Sequence, residues 1–447
     1  MKRIFPEYAY GSGPRDGCWW DETCDIPGGA VLQGDIACDV VIVGGGFTGV
    51  SAALHLAEAG ISVAVLEAQQ LGWGASGRNG GLCCLGGGIA SDAQLDRRFG
   101  PAGRQAWRRA ERDAVDCVAH LIDRLGLDVD RHSAGETLLA HRARDAAAFE
   151  AEALRISECY GVSARIETPA EAGFGGPFHA ALTIPVGFAL NPRKYLAGLV
   201  AAAQTLGVRF FEQSAALSIE RQTVRTAQGK VQAERVIVAT NGYSSEDVPG
   251  GMRGRYMPTQ SNVLVTRPLT DAEVSAQGWT SVQMAYDTRR LLHCFRLMPD
   301  RRFLFGMRGG LRSGPRSEAR ARAAVLRDFR AMFPAWRDVE VTHAWSGLVC
   351  LRRGRLPFVG PLPDVPSVLA GFAYHGNGVA MGTFAGACLS TLAQGQQPDA
   401  LPEAMQVPPA RFPLGRFRRL LMPPIYAGFA LALRWLTAGP SWVRAGR

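Results

Sequence analysis

The chain has 447 residues, of which 47% are hydrophobic and 20% are charged, and its formal net charge is +9 at pH 7. These values exclude a small disulfide-stapled protein, a disordered chain and a polytopic membrane protein, and they favour a soluble enzyme of two or three structural units. The basic residues, nearly all arginine, are scattered along the chain; nucleic-acid binding is therefore not predicted, whereas a positive field would attract an anionic substrate or an acidic membrane surface.

The first predicted elements are a strand, a glycine-rich turn, a helix and a second strand. Residues 39–43 (DVVIV) form an apolar β-type run, and GGGFTG at 44–49 follows directly. Apolar residues at helical spacing lead to Gly60, and a second strand is predicted at 62–67 (SVAVLE). This spacing is typical of a βαβ unit, in which a right-handed crossover helix joins two parallel strands.

A second group of elements continues the α/β pattern. Asn191 suits the N-cap and Pro192 the first position of a helix predicted over 192–207. The strands predicted after this helix cover residues 208–213, 216–220 and 231–239. Strand ends of this kind often face a ligand in an open α/β sheet.

Other segments lack this alternation of strands and helices and are predicted to form an inserted domain. A helix is expected at 101–125, and apolar residues at 291–297 and 303–306 predict antiparallel strands. The predicted fold class is α/β, with a Rossmann-like (doubly wound, mainly parallel sheet) domain and an inserted α+β substrate domain that carries an antiparallel sheet. The predicted boundaries are an N-terminal extension over 1–36, a discontinuous dinucleotide-binding domain over 37–95, 175–245 and 345–398, a substrate domain over 96–174 and 246–344, and a basic apolar C-terminal tail over 399–447.

The C-terminal tail differs in character from the rest of the chain. Pro423 and Pro424 interrupt it, and its longest uncharged run, Leu420 to Leu433, is shorter than the ~20 residues that span a bilayer. Packing on the body of the protein is favoured, and peripheral contact with a membrane surface is the alternative.

Cysteine usage indicates the compartment. The ten cysteines have no regular spacing, and the start of the chain lacks the apolar segment of a signal peptide. We therefore expect the protein in the reducing cytoplasm, with peripheral attachment to the inner face of the membrane as the alternative. No Cys-x-x-Cys pair accompanies a histidine cluster, so no metal site is predicted.

The glycine-rich turn predicts a dinucleotide site. Gly44 permits the tight turn, Gly46 lets the backbone approach a pyrophosphate, and Gly49 lets the helix pack on the sheet. Glu67 ends the next strand, where a carboxylate binds a ribose diol and repels the ribose phosphate of NADP. Both NAD and FAD use this unit, so a NAD dehydrogenase remains an alternative at this point.

A second loop of small residues, GWGASGRNGG over 72–81, follows Glu67. Its backbone amides, Ser76 and Arg78 suit a second phosphate or a flavin ring laid against the loop. The alternative is a flexible surface loop.

The segments DVVIVGGGFTGVSAALHLAEAG (39–60) and LGWGASGRNGG (71–81) together resemble the opening of the D-amino-acid oxidase superfamily of FAD-dependent oxidoreductases, most closely its γ-glutamylputrescine oxidase branch. The similarity continues through GKVQAERVIVATNGY, RLMPDRRFLFG, AWSG, LPFVG and HGNGV. The resemblance implies an FAD-binding domain of the Rossmann type.

The resemblance also implies which residues bind FAD. They are Gly44, Gly46, Phe47, Thr48, Gly49, Glu67, Ser76, Arg78, Asn79, Gly80, Leu217, Thr240, Asn241, Gly376, Asn377, Gly378 and Val379. The chain reads Gly376-Asn377-Gly378 where Gly-His-Gly is commoner, which leaves the alignment of this loop open by a residue or two. Cys350 lies where some sarcosine oxidase relatives attach flavin covalently, but its surroundings differ, so we expect non-covalent FAD.

The activity implied is oxidation of a C–N bond in a small amine or amino acid. A hydride leaves the carbon next to a neutral amine for the flavin, and water hydrolyses the imine to an aldehyde or keto acid. No catalytic residue is assigned. Tyr286, His293, Arg296 and Trp345 are candidate substrate contacts, with structural roles open for the last three, and strand alternation points His293 away from Arg296.

The predicted function is therefore that of an FAD-dependent amine or amino-acid oxidase, similar to γ-glutamylputrescine oxidase, with O2 as the electron acceptor. The alternative is a D-amino-acid dehydrogenase that passes electrons to a membrane quinone or another electron carrier, which would suit the apolar tail. An RNA-modifying flavoprotein is disfavoured because the sequence has no concentrated basic patch.

Overall fold

The computed structural model describes residues 1–435. Its strands are β1 (Gly34–Val43), β2 (Val63–Leu66), β3 (Leu82–Cys83), β4 (Glu136–Leu139), β5 (Arg165–Glu167), β6 (Ala181–Ile184), β7 (Phe188–Ala189), β8 (Arg209–Phe211), β9 (Ser218–Glu220), β10 (Thr223–Arg225), β11 (Gly229–Val238), β12 (Met257–Pro268), β13 (Met284–Asp287), β14 (His293–Leu297), β15 (Arg302–Arg308), β16 (Val341–Leu351), β17 (Phe358–Leu362) and β18 (Val365–Phe372).

The helices connect and cover these strands. The α-helices are α1 (Phe47–Glu58), α2 (Asp92–Leu125), α3 (Ala143–Ala146), α4 (Phe149–Tyr160), α5 (Pro192–Thr205), α6 (Asp271–Gln277), α7 (Pro315–Met332), α8 (Ala380–Ala393), α9 (Glu403–Gln406) and α10 (Met422–Trp435). Short 3-10 helices cover Glu7–Tyr10, Trp19–Glu22, Ala75–Gly77, Asn241–Tyr243, Gly250–Met252, Pro334–Trp336 and Gly415–Leu421.

The first sheet has the strand order β17-β18-β11-β1-β2-β8. β1 lies parallel between β2 and β11, and β8 and β18 extend the parallel pairing on either side. β17 pairs antiparallel with β18, and the hairpin of β9 and β10 joins β11. Residues Val40 to Val43 are all buried, as expected for a strand covered on both faces. The predicted mainly parallel sheet and its first βαβ unit are confirmed.

One face of this sheet is covered by α1, α2, α5 and α8, which share one apolar core. The sequence placed α2 in the second domain and predicted it over 101–125. It begins instead at Asp92, contains a non-helical Gly100, and buries Trp107 and Val118 in the core of the first sheet. The local pattern shows that α2 has an apolar stripe, but it does not specify the partner of that stripe.

The second sheet has the order β16-β12-β15-β14-β13-β4-β6-β5. Its pairs are antiparallel apart from β13 with β4. Behind it lies an aromatic cluster in which the ring of Phe303 is 5.0 Å from Trp279 and 4.8 Å from Trp336, centroid to centroid. The antiparallel strands predicted at 291–297 and 303–306 correspond to β14 and β15 and are confirmed.

Strand pairing changes two of the predicted domain boundaries. β6 lies within segment 175–245, which the sequence assigned to the dinucleotide-binding domain, yet it pairs with β4 and β5 in the second sheet. β16 crosses the predicted boundary at residue 345 and pairs with β12 along most of its length. Both strands are apolar, and their sheet is decided by hydrogen bonding to strands far away in the sequence.

The C-terminal segment packs on the body of the protein where it begins. Arg418 is fully buried and pairs with Glu246 at 2.6 Å. Pro423 and Pro424 do not interrupt a helix but lie in the first turn of α10, where proline is tolerated because the first N–H groups have no partner in the helix. No helix within residues 1–435 is long and apolar enough to cross a membrane. The rest of the predicted tail, 436–447, lies outside the described residues.

Candidate active site

An elongated cavity of about 390 Å³ lies between the two sheets, at the carboxyl ends of β1, β2 and β11. The glycine-rich turn forms one end of it. Gly44 has a φ of +114°, and a Cβ there would lie 2.8 Å from the carbonyl oxygen of Ala239. A Cβ on Gly46 would lie 2.7 Å from Ser76 Oγ. The turn therefore forms a backbone cradle next to the N-terminus of α1, which fits a pyrophosphate.

Glu67 is held at the end of β2 by backbone amides. Its Oε2 accepts a hydrogen bond from Gly45 N at 2.9 Å, and its Oε1 accepts one from Gln69 N at 3.0 Å. Burial raises the pKa of this carboxyl group, and the backbone donors oppose that shift. The side chain lines the cavity beside the cradle, which fits the ribose of a dinucleotide.

The loop over residues 72–81 continues the wall of the cavity. Ser76 Oγ accepts a hydrogen bond from Phe47 N at 2.9 Å, so this loop and the glycine-rich turn are joined. Arg78 is 3% exposed and donates to the carbonyl oxygens of Trp73 and Ser346, while its Nη2 has no hydrogen-bond partner among the described residues. A buried guanidinium with an unused donor on the cavity wall fits a polar flavin atom or a phosphate.

The loop before α8 closes the opposite wall. Asn377 Nδ2 donates to the carbonyl oxygens of Cys84 at 2.8 Å and Leu85 at 2.7 Å, which ties this loop to the segment after β3. Gly376 has a φ of +105°, and α8 begins at Ala380. A cavity wall with this backbone arrangement at a helix N-terminus suits a group that gains negative charge, such as a reduced flavin.

Most of the residues assigned to the cofactor line this one cavity. They are Gly44, Gly46, Phe47, Thr48, Glu67, Ser76, Arg78, Asn79, Gly80, Thr240, Asn241, Gly376, Asn377, Gly378 and Val379. Two do not line it. A Cβ on Gly49 would overlap the carbonyl oxygen of Gly44, so Gly49 supports the turn from behind. Leu217 is 48% exposed, and its backbone N–H donates a hydrogen bond to the carbonyl oxygen of Arg225. Its neighbour Ala216 lines the cavity instead.

Of the four candidate substrate contacts, only Tyr286 lines the cavity. Arg296 is 1% exposed, lies over the ring of Trp20 and reaches the carbonyl oxygen of Gly81 at 3.4 Å. Trp345 is fully buried and donates from Nε1 to the carbonyl oxygen of Arg78 at 2.8 Å. Both residues support the cavity wall from outside, so the structure places neither where a substrate would lie.

His293 lies on the other face of β14, in the aromatic cluster. Its Nδ1 is 2.9 Å from Asp287 Oδ2, and its Nε2 is 3.5 Å from Asp328 Oδ2. Burial opposes the charged imidazolium, but the hydrogen bond to Asp287 and the nearby carboxylate of Asp328 prevail and raise the pKa of His293 above its usual value. His293 therefore takes part in a buried ion-pair cluster. Successive side chains of β14 point to opposite faces of the sheet, which accounts for its position.

Replacing His293 with asparagine is expected to leave the KM of the substrate within about twofold, because the side chain does not face the cavity. The native histidine makes its full contribution to stability at pH values below its pKa in the unfolded chain. This contribution is lost as the pH rises through its higher pKa in the folded protein. His293→Asn should therefore lower the free energy of unfolding at pH 6 by ~1 to 3 kcal/mol, and by less at pH 9. Denaturant titrations at both pH values test this, and a large rise in KM would contradict it.

The sequence missed several residues of the inner cavity wall, among them Arg308, Cys84, Leu292, Cys294 and Met307. Arg308 ends β15 on the same face as Leu304 and Gly306, which lie toward the cavity wall, whereas Phe303 and Phe305 enter the aromatic cluster. The period-two alternation of β15 was a signal that could have identified Arg308.

Cys350 also lines the cavity and is 1% exposed. Burial raises the pKa of its thiol to about 12, so the sulfur stays protonated at neutral pH. Since the thiolate is the nucleophilic form of cysteine, this environment disfavours attachment of a cofactor to Cys350.

Comparisons with known proteins match this geometry. Residues 39–392 match the DAO family, described as FAD dependent oxidoreductases. The gamma-glutamylputrescine oxidoreductase of Escherichia coli K12 is 31% identical over 397 residues, which cover 87% of this chain and 91% of that protein. The glycine oxidase of Bacillus licheniformis is 24% identical, with coverage of 80% and 93%. The iminodiacetate oxidase structure from Chelativorans superposes with a TM-score of 0.68 at 19% identity, covering 82% of this chain and 98% of that one.

Proposed function

The chain belongs to the family of FAD-dependent oxidoreductases that act on C–N bonds of amines or amino acids, and from this premise we propose that it oxidises the amine of a γ-glutamylated diamine such as γ-glutamylputrescine, with O2 as the electron acceptor. The product would be an imine that water hydrolyses to an aldehyde. The observation that carries the proposal is a cation on the cavity wall, Arg308, that has no acidic partner among the described residues.

Arg308 faces the loop before α8. Its guanidinium lies so close to Gly376 that a Cβ there would overlap it. Burial lowers the pKa of Arg308, and the groups that oppose this shift are the thiols of Cys294 and Cys84 and the hydroxyls of Tyr426 and Tyr286. Within residues 1–435 no ion pair involves Arg308, and Glu67, at the far end, is the acidic side chain on the cavity wall. The carboxylate of a glutamyl group would supply the missing partner.

The chain's own residues position the reactants. Bound FAD would supply the acceptor of the hydride. The backbone cradle at Gly44 and Gly46 would hold the pyrophosphate, Glu67 would accept hydrogen bonds from the ribose, and Arg78 would direct its free Nη2 at the flavin end. The second sheet would place the substrate amine next to the loop before α8, at near-attack distance and shielded from water.

The proposal is tested by the visible spectrum of the purified protein under anaerobic conditions. We expect the flavin band to disappear rapidly on addition of γ-glutamylputrescine, more slowly with putrescine, and slowly or not at all with glycine or D-amino acids. Readmitted oxygen should restore the band within seconds. Slow recovery in oxygen, with fast recovery on a soluble quinone, would indicate a dehydrogenase. A flavin that stays oxidised with every amine and amino acid would contradict the proposed function.

We also propose that the C-terminal segment rests on an anionic membrane surface. The large apolar side chains of Leu414, Phe417, Leu420 and Ile425 are each at least 45% exposed within a span of twelve residues. Arg411 and Arg416 are exposed beside them. An apolar surface flanked by cations suits the boundary between headgroups and acyl chains.

Sedimentation with phosphatidylglycerol vesicles tests this contact. Phe417→Asp with Leu420→Asp is expected to lower the bound fraction at least fivefold, because each change removes buried apolar area and repels anionic lipid. Leu154→Asp serves as the matched control, since Leu154 is 62% exposed on a different surface, α4. Equal binding by the native protein and the double variant would contradict the contact.

A further inference from the structure

A buried carboxyl group lies directly behind the inner wall of the cavity. Glu136, the first residue of β4, is 1% exposed. Its Oε1 accepts a hydrogen bond from Leu85 N at 3.3 Å, and its Oε2 has no hydrogen-bond partner among the described residues. Leu85, Cys84 and Tyr286 separate it from the cavity, and all three line that cavity.

The surroundings of Glu136 do not explain it as a structural residue. The groups that face it are the hydroxyl of Tyr286 from β13, the thiol of Cys84 after β3 and, farther away, the carboxyl group of Glu111 from α2. No ion pair within residues 1–435 involves Glu136, so the fold gains no salt bridge from a group that is costly to bury. Burial raises its pKa to about 8, and the Tyr286 hydroxyl and the Leu85 amide oppose that shift.

Tyr286 connects this carboxyl group to the cavity. β13 and β4 pair in parallel with Met284 opposite Glu136, which brings the Tyr286 side chain next to the carboxyl group. Tyr286 and Arg308 both line the cavity, and the two side chains interact electrostatically. Tyr286 therefore shares the cavity wall with the cation that would bind a substrate carboxylate, and its hydroxyl lies next to an acid with an unused oxygen.

We infer that Tyr286 and Glu136 form a proton relay that removes the ammonium proton of the substrate. The inference rests on the proposed function, because an amine must be neutral before the adjacent carbon releases a hydride. One N–H bond of the substrate ammonium breaks, and its proton passes to the Tyr286 oxygen as the Tyr286 O–H proton passes to Glu136 Oε2. An ammonium and a carboxylate thus become a neutral amine and a carboxylic acid. Tyr286 is the catalytic residue here, and Glu136 is a positioning residue that acts through it.

The relay is tested by the pH dependence of anaerobic flavin reduction, followed by stopped-flow absorbance with saturating γ-glutamylputrescine. In the native enzyme the rate constant should rise with pH and level off near pH 8, where Glu136 titrates. In Glu136→Gln the rise should move toward the pKa of a free alkyl amine, ~10. The rate constant should then be 10- to 100-fold lower at pH 7 and within about twofold at pH 10. Tyr286→Phe should show the same displacement.

Glu111→Gln is the matched control. Glu111 is also a buried glutamate, but it pairs with Arg108 at 2.7 Å on α2, and Glu111 does not line the cavity. Because the Glu111 carboxylate contributes to the raised pKa of Glu136, this variant should move the profile slightly toward lower pH, opposite to the displacement expected of Glu136→Gln, even if its stability is lower. A Glu136→Gln profile that superimposes on the native one, with FAD bound normally, would overturn the relay. A native flavin that no amine reduces would instead overturn the proposed function.

A second measurement needs no substrate and tests whether Glu136 carries the proton. A carboxyl group whose pKa is raised on folding keeps its proton in the native state while the unfolded chain loses it. Glu136 should therefore contribute a fall in the Tm of the native enzyme as the pH rises from about 4.5 to about 8. Glu136→Gln should flatten this decline. An unchanged decline in the variant would show that Glu136 holds no proton in this range and would also overturn the relay.

Discussion

Replacing Gly49 with alanine is expected to yield a protein that does not retain FAD, with affinity for added FAD lowered by more than about 100-fold. The new Cβ would overlap the carbonyl oxygen of Gly44, which is backbone and cannot rotate away. Helix α1 would have to move off the turn, and the pyrophosphate cradle would move with it. A loss of ~3 kcal/mol corresponds to more than 100-fold in the dissociation constant.

The measurement is a titration of the apoprotein with FAD, followed by flavin fluorescence. Gly250→Ala is the matched control, because a Cβ at Gly250 would meet no atom within 4 Å and Gly250 does not line the cavity. The control should bind FAD as the native protein does. Tight FAD binding by Gly49→Ala would show that α1 can move away from the turn without loss of the cofactor site. It would contradict the prediction that a glycine is required at position 49.

Replacing Arg308 with methionine is expected to raise the KM of γ-glutamylputrescine by ~10- to 100-fold and to leave the KM of putrescine nearly unchanged. Charge-assisted hydrogen bonds contribute ~1.5 to 3 kcal/mol, and 1.4 kcal/mol corresponds to tenfold. Methionine preserves much of the side-chain volume beside Gly376, so the cavity should keep its shape. The loss of affinity should therefore occur with γ-glutamylputrescine, which carries a carboxylate, and not with putrescine, which carries only amines.

Initial rates with the two substrates test this, and two further variants serve as controls. Arg308→Lys should restore part of the affinity, because it keeps the charge but not the planar pair of donors. Arg296→Met removes a buried arginine that does not line the cavity, so it should lower stability without selective loss of γ-glutamylputrescine binding. An equal loss of both substrates in Arg308→Met would contradict the role of Arg308 in binding the carboxylate.

The accuracy of the sequence predictions depended on how local each feature is. The strand, turn, helix and second strand around the glycine-rich turn lie within about thirty consecutive residues, and their pattern was sufficient to predict both the βαβ unit and the cradle. The helix α2 shows the opposite case. Its apolar stripe was visible in the sequence, but α8, its partner, lies more than 250 residues later, so its domain was predicted incorrectly.

The candidate substrate contacts show the same difference within one sheet. Tyr286 and His293 were chosen from the same strand region, yet Tyr286 lines the cavity while His293 pairs with Asp287 and Asp328 on the opposite face. Asp328 comes from α7, so its proximity follows from the way α7 packs behind the sheet. Sequence spacing indicates which side chains share a face of a strand, but it does not show which face meets the cavity.

The sequence by itself determined the family, the cofactor and the parallel sheet that binds it, because the residues responsible are adjacent in the chain and act largely through their own backbone. Only the tertiary structure decided which side chains line the inner part of the cavity. Arg308 lies against Gly376, and Glu136 lies behind Tyr286, because strand order and register bring distant segments together. Those contacts depend on long-range hydrogen bonding between strands, which no local pattern of residues specifies.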